Sequence, residues 1–343
     1  MKIALLGMPQ SGRKTLFHLL TGRAVPEARR PEESVEGVAA IGDSRVDRLN
    51  EICKPQRKVY AENHFVLCPD VTFEPGKRKW IEAAKRCDLL CLVMRAFKSE
   101  QVYHPKGSVD AARDRAALRS ELLLADMEMA DTRLTRIGKE KRAGVTPAMA
   151  AEEQVLKKCM AALEQEKRLV DAGLEPHELA PIRSLDFNTL LPELWVYNVD
   201  EGDLAVNFGP NSVAVSCLIE QEIMALTDLK ERREYLEALG LSRPGLDRVN
   251  QAAYDALGLM SFYTIGEDEV RAWTIRKGST APVAGGKVHT DIERGFIRAE
   301  VMKYDDFVAA GSEHKVKELG KMQLKGRDYV IEDGDICHFL FNV

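Results

Sequence analysis

The chain has no apolar run approaching the ~20 residues that a membrane-spanning helix requires, so nothing in it predicts a transmembrane segment. Its first residues carry one charge and then a strand-like pattern, which predicts no secretory signal. It also lacks an excess of positive charge. The net charge is −5, which argues against bulk electrostatic attachment to nucleic acid or anionic lipid and leaves room only for a local basic patch. No membrane or DNA partner is expected. Cysteine is sparse and odd in number, 7 in 343 residues, which fits a reducing cytoplasm better than a disulfide framework. Cys87 and Cys91 are the nearest pair. No further Cys or His pair stands close enough to complete a zinc set, so they read as buried thiols.

What is present is a soluble composition, 45% hydrophobic and 30% charged, in a chain long enough for two or three domains. Short apolar runs at 3–6, 65–68, 89–94, 194–197 and 213–216 read as buried strands of an α/β sheet. A helical excursion separates the third from the fourth. Its first limb runs from Asp110 to about Lys141, with Leu118, Leu122, Ala125 and Met129 on one stripe. Gly144 ends it. Thr146-Pro147 supplies a capping hydroxyl and a first-turn proline for a second limb, expected to reach about Ala172 before Gly173. The two limbs predict an antiparallel hairpin. Beyond Met260 the texture changes to strands, Gly/Asp turns and two short helices, an α+β domain. Acids slightly outnumber bases there, so composition does not make it a basic RNA platform. The expected domains are 1–107 with 174–259, an inserted hairpin at 108–173, and 260–343.

The first strand-like run opens into Gly7-Met8-Pro9-Gln10-Ser11-Gly12-Arg13-Lys14-Thr15. A phosphate-binding loop of the form G-x-x-x-x-G-K-[ST] cradles phosphates with backbone N–H groups. Its lysine reaches the β/γ-phosphates and its hydroxyl binds Mg²⁺. Gly7 and Gly12 have the required spacing, but Arg13 fills the lysine slot and Lys14 the hydroxyl slot. Gly7, Pro9, Gly12, Arg13, Lys14 and Thr15 are therefore the candidate phosphate residues. The wide guanidinium fork does not suit a slot shaped for an ammonium, and Lys14 is expected where a metal would sit.

The C-terminal segments Glu269-Val270-Arg271-Ala272-Trp273-Thr274-Ile275-Arg276-Lys277-Gly278, His289-Thr290-Asp291-Ile292-Glu293-Arg294-Gly295-Phe296-Ile297 and Asp333-Gly334-Asp335 resemble the YchF / Obg-like ATPases. Gly7-Met8-Pro9 followed by Thr15-Leu16-Phe17, and a hairpin inserted in a P-loop domain, extend the resemblance over the whole chain. It implies a P-loop NTPase sheet domain with an inserted antiparallel helical hairpin, and a C-terminal TGS module of β-grasp fold. It also implies a cytoplasmic ATPase associated with ribosomes or RNA, contacted through the hairpin and TGS module.

Asn198-Val199-Asp200-Glu201 matches the family's N-x-x-E base motif, in which the guanine-specific carboxylate of N-K-x-D is changed and the Asn198 amide is left to meet adenine. Asn198 and Glu201, with Ser216 and Cys217 on the next loop, are the candidate base-binding residues. His104, in Val102-Tyr103-His104-Pro105, matches the position of the family's catalytic histidine. Other hallmarks are replaced. The first switch threonine falls in Arg30-Pro31-Glu32-Glu33-Ser34, and the D-x-x-G switch strand continues as Leu67-Cys68-Pro69-Asp70. The glycine-rich segment shrinks to Val71-Thr72-Phe73-Glu74-Pro75-Gly76. All three losses lie on the metal and γ-phosphate side, where phosphoryl transfer is catalysed, so no Mg²⁺ ligand is assigned. Three readings follow. One is an ATP- or other nucleotide-binding protein with weak or absent hydrolysis. A second is an active ATPase using Lys14 in a rearranged loop, and the third a nucleotide-free interaction scaffold.

Overall fold

The computed structural model describes residues 1–26, 30, 32–73 and 78–342, with the side chains of Ala143 and Leu229 left aside. Pro31 and the Glu74-Pro75-Gly76 stretch of the expected switch segments lie outside the described residues. The chain divides into two compact units, Met1–Gly37 with His64–Val249, and Val38–Asn63 with Asn250–Val343.

The sheet of the first unit has the order Val35–Ala40, Glu62–Leu67, Lys2–Gly7, Leu89–Arg95, Glu193–Asn198 and Ser212–Val215. The pairings from Glu62–Leu67 onward are all parallel. Every residue of Leu89–Arg95 and of Glu193–Asn198 is buried, which is why the central strands read as unbroken apolar runs rather than alternating ones. Trp80, Leu90, Leu92, Met94, Trp195 and Tyr197 fill one cluster on this sheet. The five sequence-read strands are all present. Val35–Ala40, with alternating exposure, joins them as a sixth.

The hairpin limbs are Ala111–Glu140 and Pro147–Glu164. The Asp110 carboxylate caps the first by accepting from the Arg113 N–H, and Thr146 caps the second by accepting from Met149. The second limb stops short of the expected Ala172. Glu166 takes a left-handed φ of 57°, and Leu169–Asp171 form only a 3₁₀ turn. Leu169 is buried all the same, with Leu156, Cys159 and Ile182 in a core belonging to the hairpin. The limb base is tied to the sheet through charge. Buried Glu193 accepts ion pairs from Arg119 (3.0 Å) and Arg168 (3.2 Å), and the Arg115 guanidinium lies 4.6 Å from the Trp195 ring centroid.

The second unit is an α+β body around the sheet Gln323–Lys325, Phe296–Lys303, Asp335–Phe341, Leu259–Thr264, Glu269–Arg276 and Arg57–Val59. Phe262, Ile275, Ala299, Val301 and Phe339 form its core. The segment Val38–Asn63, grouped with the P-loop domain in the sequence reading, packs with this unit because Arg57–Val59 adds a parallel edge strand to Glu269–Arg276. Among the described residues no helix is long and apolar enough to cross a membrane. None of the seven cysteines forms a disulfide, and burial pushes the Cys91 thiol up to about 12 and the Cys87 thiol up to about 11.

Candidate functional site: a phosphate loop with its cation turned inward

The loop after strand Lys2–Gly7 bends through left-handed backbone at Gln10 (φ 64°) and Gly12 (φ 89°). Gly12 is the N-cap of helix Arg13–Thr21, which starts with no side-chain cap and no acid in its first turn. Uncapped N–H groups at a helix start, with the positive end of the dipole behind them, form a surface suited to anions. Glycine is required at 12 for two reasons. The positive φ strains any L side chain, and a Cβ there would stand 2.1 Å from Asn198 Nδ2.

The base side of the loop is closed by Asn198. Its Nδ2 donates to the Ser11 carbonyl at 3.1 Å, and its Oδ1 accepts from the Cys217 N–H at 3.0 Å. Asn198, Ser216 and Cys217 are all buried, so one amide joins the phosphate loop to the loop after strand Ser212–Val215. Burial pushes the Cys217 thiol up to about 12, so it stays protonated. Two amide valences of Asn198 are thereby used in holding the pocket together, leaving one N–H and one lone pair for a ligand. Glu201 is exposed on a 3₁₀ turn, and Asp200 accepts from the Lys98 N–H at 3.0 Å.

The phosphate side holds one buried and one exposed cation. Lys14 is exposed. The buried cation is Arg13, 2% exposed, which donates to the Leu5 carbonyl at 3.4 Å and to the Cys68 carbonyl, and pairs with the Asp70 carboxylate. The Arg13 guanidinium is folded beneath the loop, whereas Lys14 faces water. A cation can be buried here because two backbone carbonyls and a carboxylate satisfy it. Gly7 leaves it room, for a Cβ at 7 would come within 3.4 Å of Arg13 Cδ and 2.7 Å of the Val93 carbonyl. Pro9 and Thr15 are half-buried at the two ends of the loop. Asp70 is the residue that sequence reasoning missed; its signal was a carboxylate arriving just after the strand that should carry the switch aspartate.

This donor set does not suit Mg²⁺. The hydroxyl slot holds a lysine, the nearby carboxylate is engaged by Arg13, and among the described residues no group of His, Cys, Asp and Glu assembles as a metal set. Hard divalent cations need convergent oxygen ligands, and here a guanidinium stands among them.

His104 is buried and doubly engaged. Its Nδ1 accepts from the Lys106 N–H at 3.1 Å, and its Nε2 lies 3.0 Å from Asp114 Oδ2. Arg113 holds the other oxygen of Asp114 at 2.9 Å. The two contacts pin the loop to the start of the first hairpin limb.

Comparison with known proteins agrees with these elements. A family model described as "YchF-GTPase_C: Protein of unknown function (DUF933)" matches residues 259–342. The chain is 37% identical to the "Ribosome-binding ATPase YchF" of Escherichia coli O157:H7, covering 100% of this chain and 99% of that one. It is 34% identical to the Bacillus subtilis (strain 168) protein of the same name, covering 99% and 98%. The solved Schizosaccharomyces pombe YchF GTPase superposes with a TM-score of 0.85 at 29% identity, covering 99% and 97%. A phosphate loop of family spacing, an inserted hairpin and a matching C-terminal unit thus coincide with full-length kinship, and the chain belongs to the YchF family.

Proposed function

We propose that this chain is a cytoplasmic, ribosome-associated member of the YchF family that keeps a weak nucleotide pocket and has lost hydrolysis. Ribosome association is inferred from relatives named ribosome-binding ATPases, with the hairpin and the C-terminal unit as the contacting parts. The observation that carries the loss of hydrolysis is the inward Arg13 side chain. Phosphoryl transfer is accelerated by charges positioned around the γ-phosphate, and the one buried cation of this loop is spent on protein carbonyls and a protein carboxylate. Nucleotide binding is supported by what the loop retains: an uncapped helix start after Gly12 and the Asn198 clamp. The remaining Asn198 N–H and lone pair suit the adenine edge, so ATP or ADP is the expected ligand, independent of Mg²⁺.

Isothermal titration with ATP and GTP, with and without Mg²⁺, together with a phosphate-release assay, tests this reading. Weak ATP binding indifferent to Mg²⁺, without release of phosphate, is the expected result. Turnover abolished by Lys14→Ala would overturn it in favour of a rearranged active loop. Absence of binding by any nucleotide would leave an interaction scaffold. Co-sedimentation with ribosomes at two salt concentrations tests the partner, and a chain that stays in the supernatant at low salt would remove that half of the proposal.

A further inference from the structure

The cation of the phosphate loop is already liganded from within the protein. Of the three partners of Arg13, two are backbone carbonyls, Leu5 within strand Lys2–Gly7 and Cys68 just past strand Glu62–Leu67. Asp70 alone carries charge, and its side chain is 35% exposed against 2% for Arg13. It stands on coil after strand Glu62–Leu67, so it can leave the guanidinium without opening the sheet. We propose that Asp70 is a tethered competitor of phosphate. Its carboxylate takes the position on Arg13 that the oxygens of a nucleoside triphosphate or inorganic triphosphate would take, and the pocket admits such a ligand only when Asp70 gives way.

Carboxylate and phosphate oxygens are interchangeable partners for a guanidinium fork. A carboxylate held on the same chain acts at an effective concentration in the millimolar range or above, so it outcompetes a dilute anion. The rest of the loop offers no such obstacle, since its helix start has neither a capping side chain nor an acid in the first turn. Asp70 would then set both how weakly the pocket binds and which ligands it refuses. A ligand whose phosphates stop short of Arg13 is indifferent to Asp70, and one that reaches it must displace the carboxylate.

This inference rests on the nucleotide-binding reading above, but its test is separate because it uses inorganic triphosphate in metal-free buffer and reads binding, not turnover. Asp70→Asn is expected to tighten triphosphate binding about tenfold, the worth of one charge-assisted hydrogen bond. In an Arg13→Gln background the same substitution is expected to do nothing, since the competed-for cation is gone. Unchanged affinity in Asp70→Asn, or an equal gain without Arg13, would overturn the competition while leaving the proposal on hydrolysis standing. Phosphate release by the wild-type chain would do the reverse. Circular dichroism checks that each variant is folded. Should Asp70→Asn not fold, the Arg13 side-chain ¹⁵N resonance of the wild-type chain decides: a shift under saturating triphosphate supports displacement, and a fixed resonance refutes it.

Discussion

The two sides of one loop have been treated differently. On the side expected to meet the base a neutral amide, Asn198, spans two loops with hydrogen bonds of 3.1 and 3.0 Å. On the phosphate side the residue types are changed, and the resulting charge is folded inward onto Asp70. The difference lies in what each side contributes to folding. Asn198 holds Ser11 and Cys217 together through bonds internal to the protein, so losing it costs stability. A lysine and a hydroxyl that serve only a bound triphosphate and its metal contribute nothing to the empty fold. Under the proposal that hydrolysis is lost, those two slots are free to change, and Arg13 is engaged by protein groups instead.

The largest test of this contrast is Gly12→Ala. The new Cβ would collide with Asn198 Nδ2 at 2.1 Å on a backbone at φ 89°, and about 3 kcal/mol or more of unfolding free energy should disappear from urea titrations. Asn198→Ala comes next. It strands the buried Ser11 carbonyl and Cys217 N–H, for an expected loss of about 2–3 kcal/mol by the same measurement. Arg13→Gln should cost less, about 1–2 kcal/mol, because the Asp70 carboxylate left behind is one-third exposed and rehydrates. If Arg13→Gln proved more damaging than Asn198→Ala, the distinction between the two sides would be inverted.

The smallest effect concerns Glu220, beside the base loop on helix Cys217–Ala225. Its carboxylate is buried and accepts from the Gly245 N–H at 2.6 Å, and burial holds its pKa above the usual carboxylate value. The folded state therefore binds a proton that the unfolded state has already released, so stability falls as pH rises from about 4.5 through the raised folded value. Glu220→Gln should flatten that slope and gain under ~1 kcal/mol at neutral pH, read as a difference between melting curves at pH 5 and 7. A slope unchanged by the substitution would assign the pH dependence elsewhere.

Much of the architecture was legible because burial writes itself into composition. Leu89–Arg95 is buried at every position and could only read as a core strand, and Thr146-Pro147 announced a helix start that Thr146 does cap. The end of the second limb was not legible, since Leu169 continues the apolar spacing after the chain has turned at Glu166. Arg57–Val59 was invisible for a different reason. Three residues, two of them charged and exposed, carry no period, and their strand character comes wholly from Glu269–Arg276. At the site, the changed slots could be read but the direction of Arg13 could not. It is decided by Asp70, 57 residues away, and by the room that Gly7 leaves.

The edge strand Arg57–Val59 also has a consequence for how the chain is made. Its neighbour Gln56 meets Asp268 across 212 residues, so an early-synthesised piece of the second unit waits for a partner that emerges much later. At roughly 5–20 residues per second, that wait is on the order of 10–40 s, long against the microseconds in which local helices form. The parallel sheet of the first unit can close around Leu89–Arg95 and Glu193–Asn198 in the meantime, while Arg57–Val59 stays without its partner strand. Completion of the second sheet is then the final, high-contact-order event of folding. An interruption of synthesis before Glu269–Arg276 would leave Arg57–Val59 as an open edge, exposed to whatever first meets it.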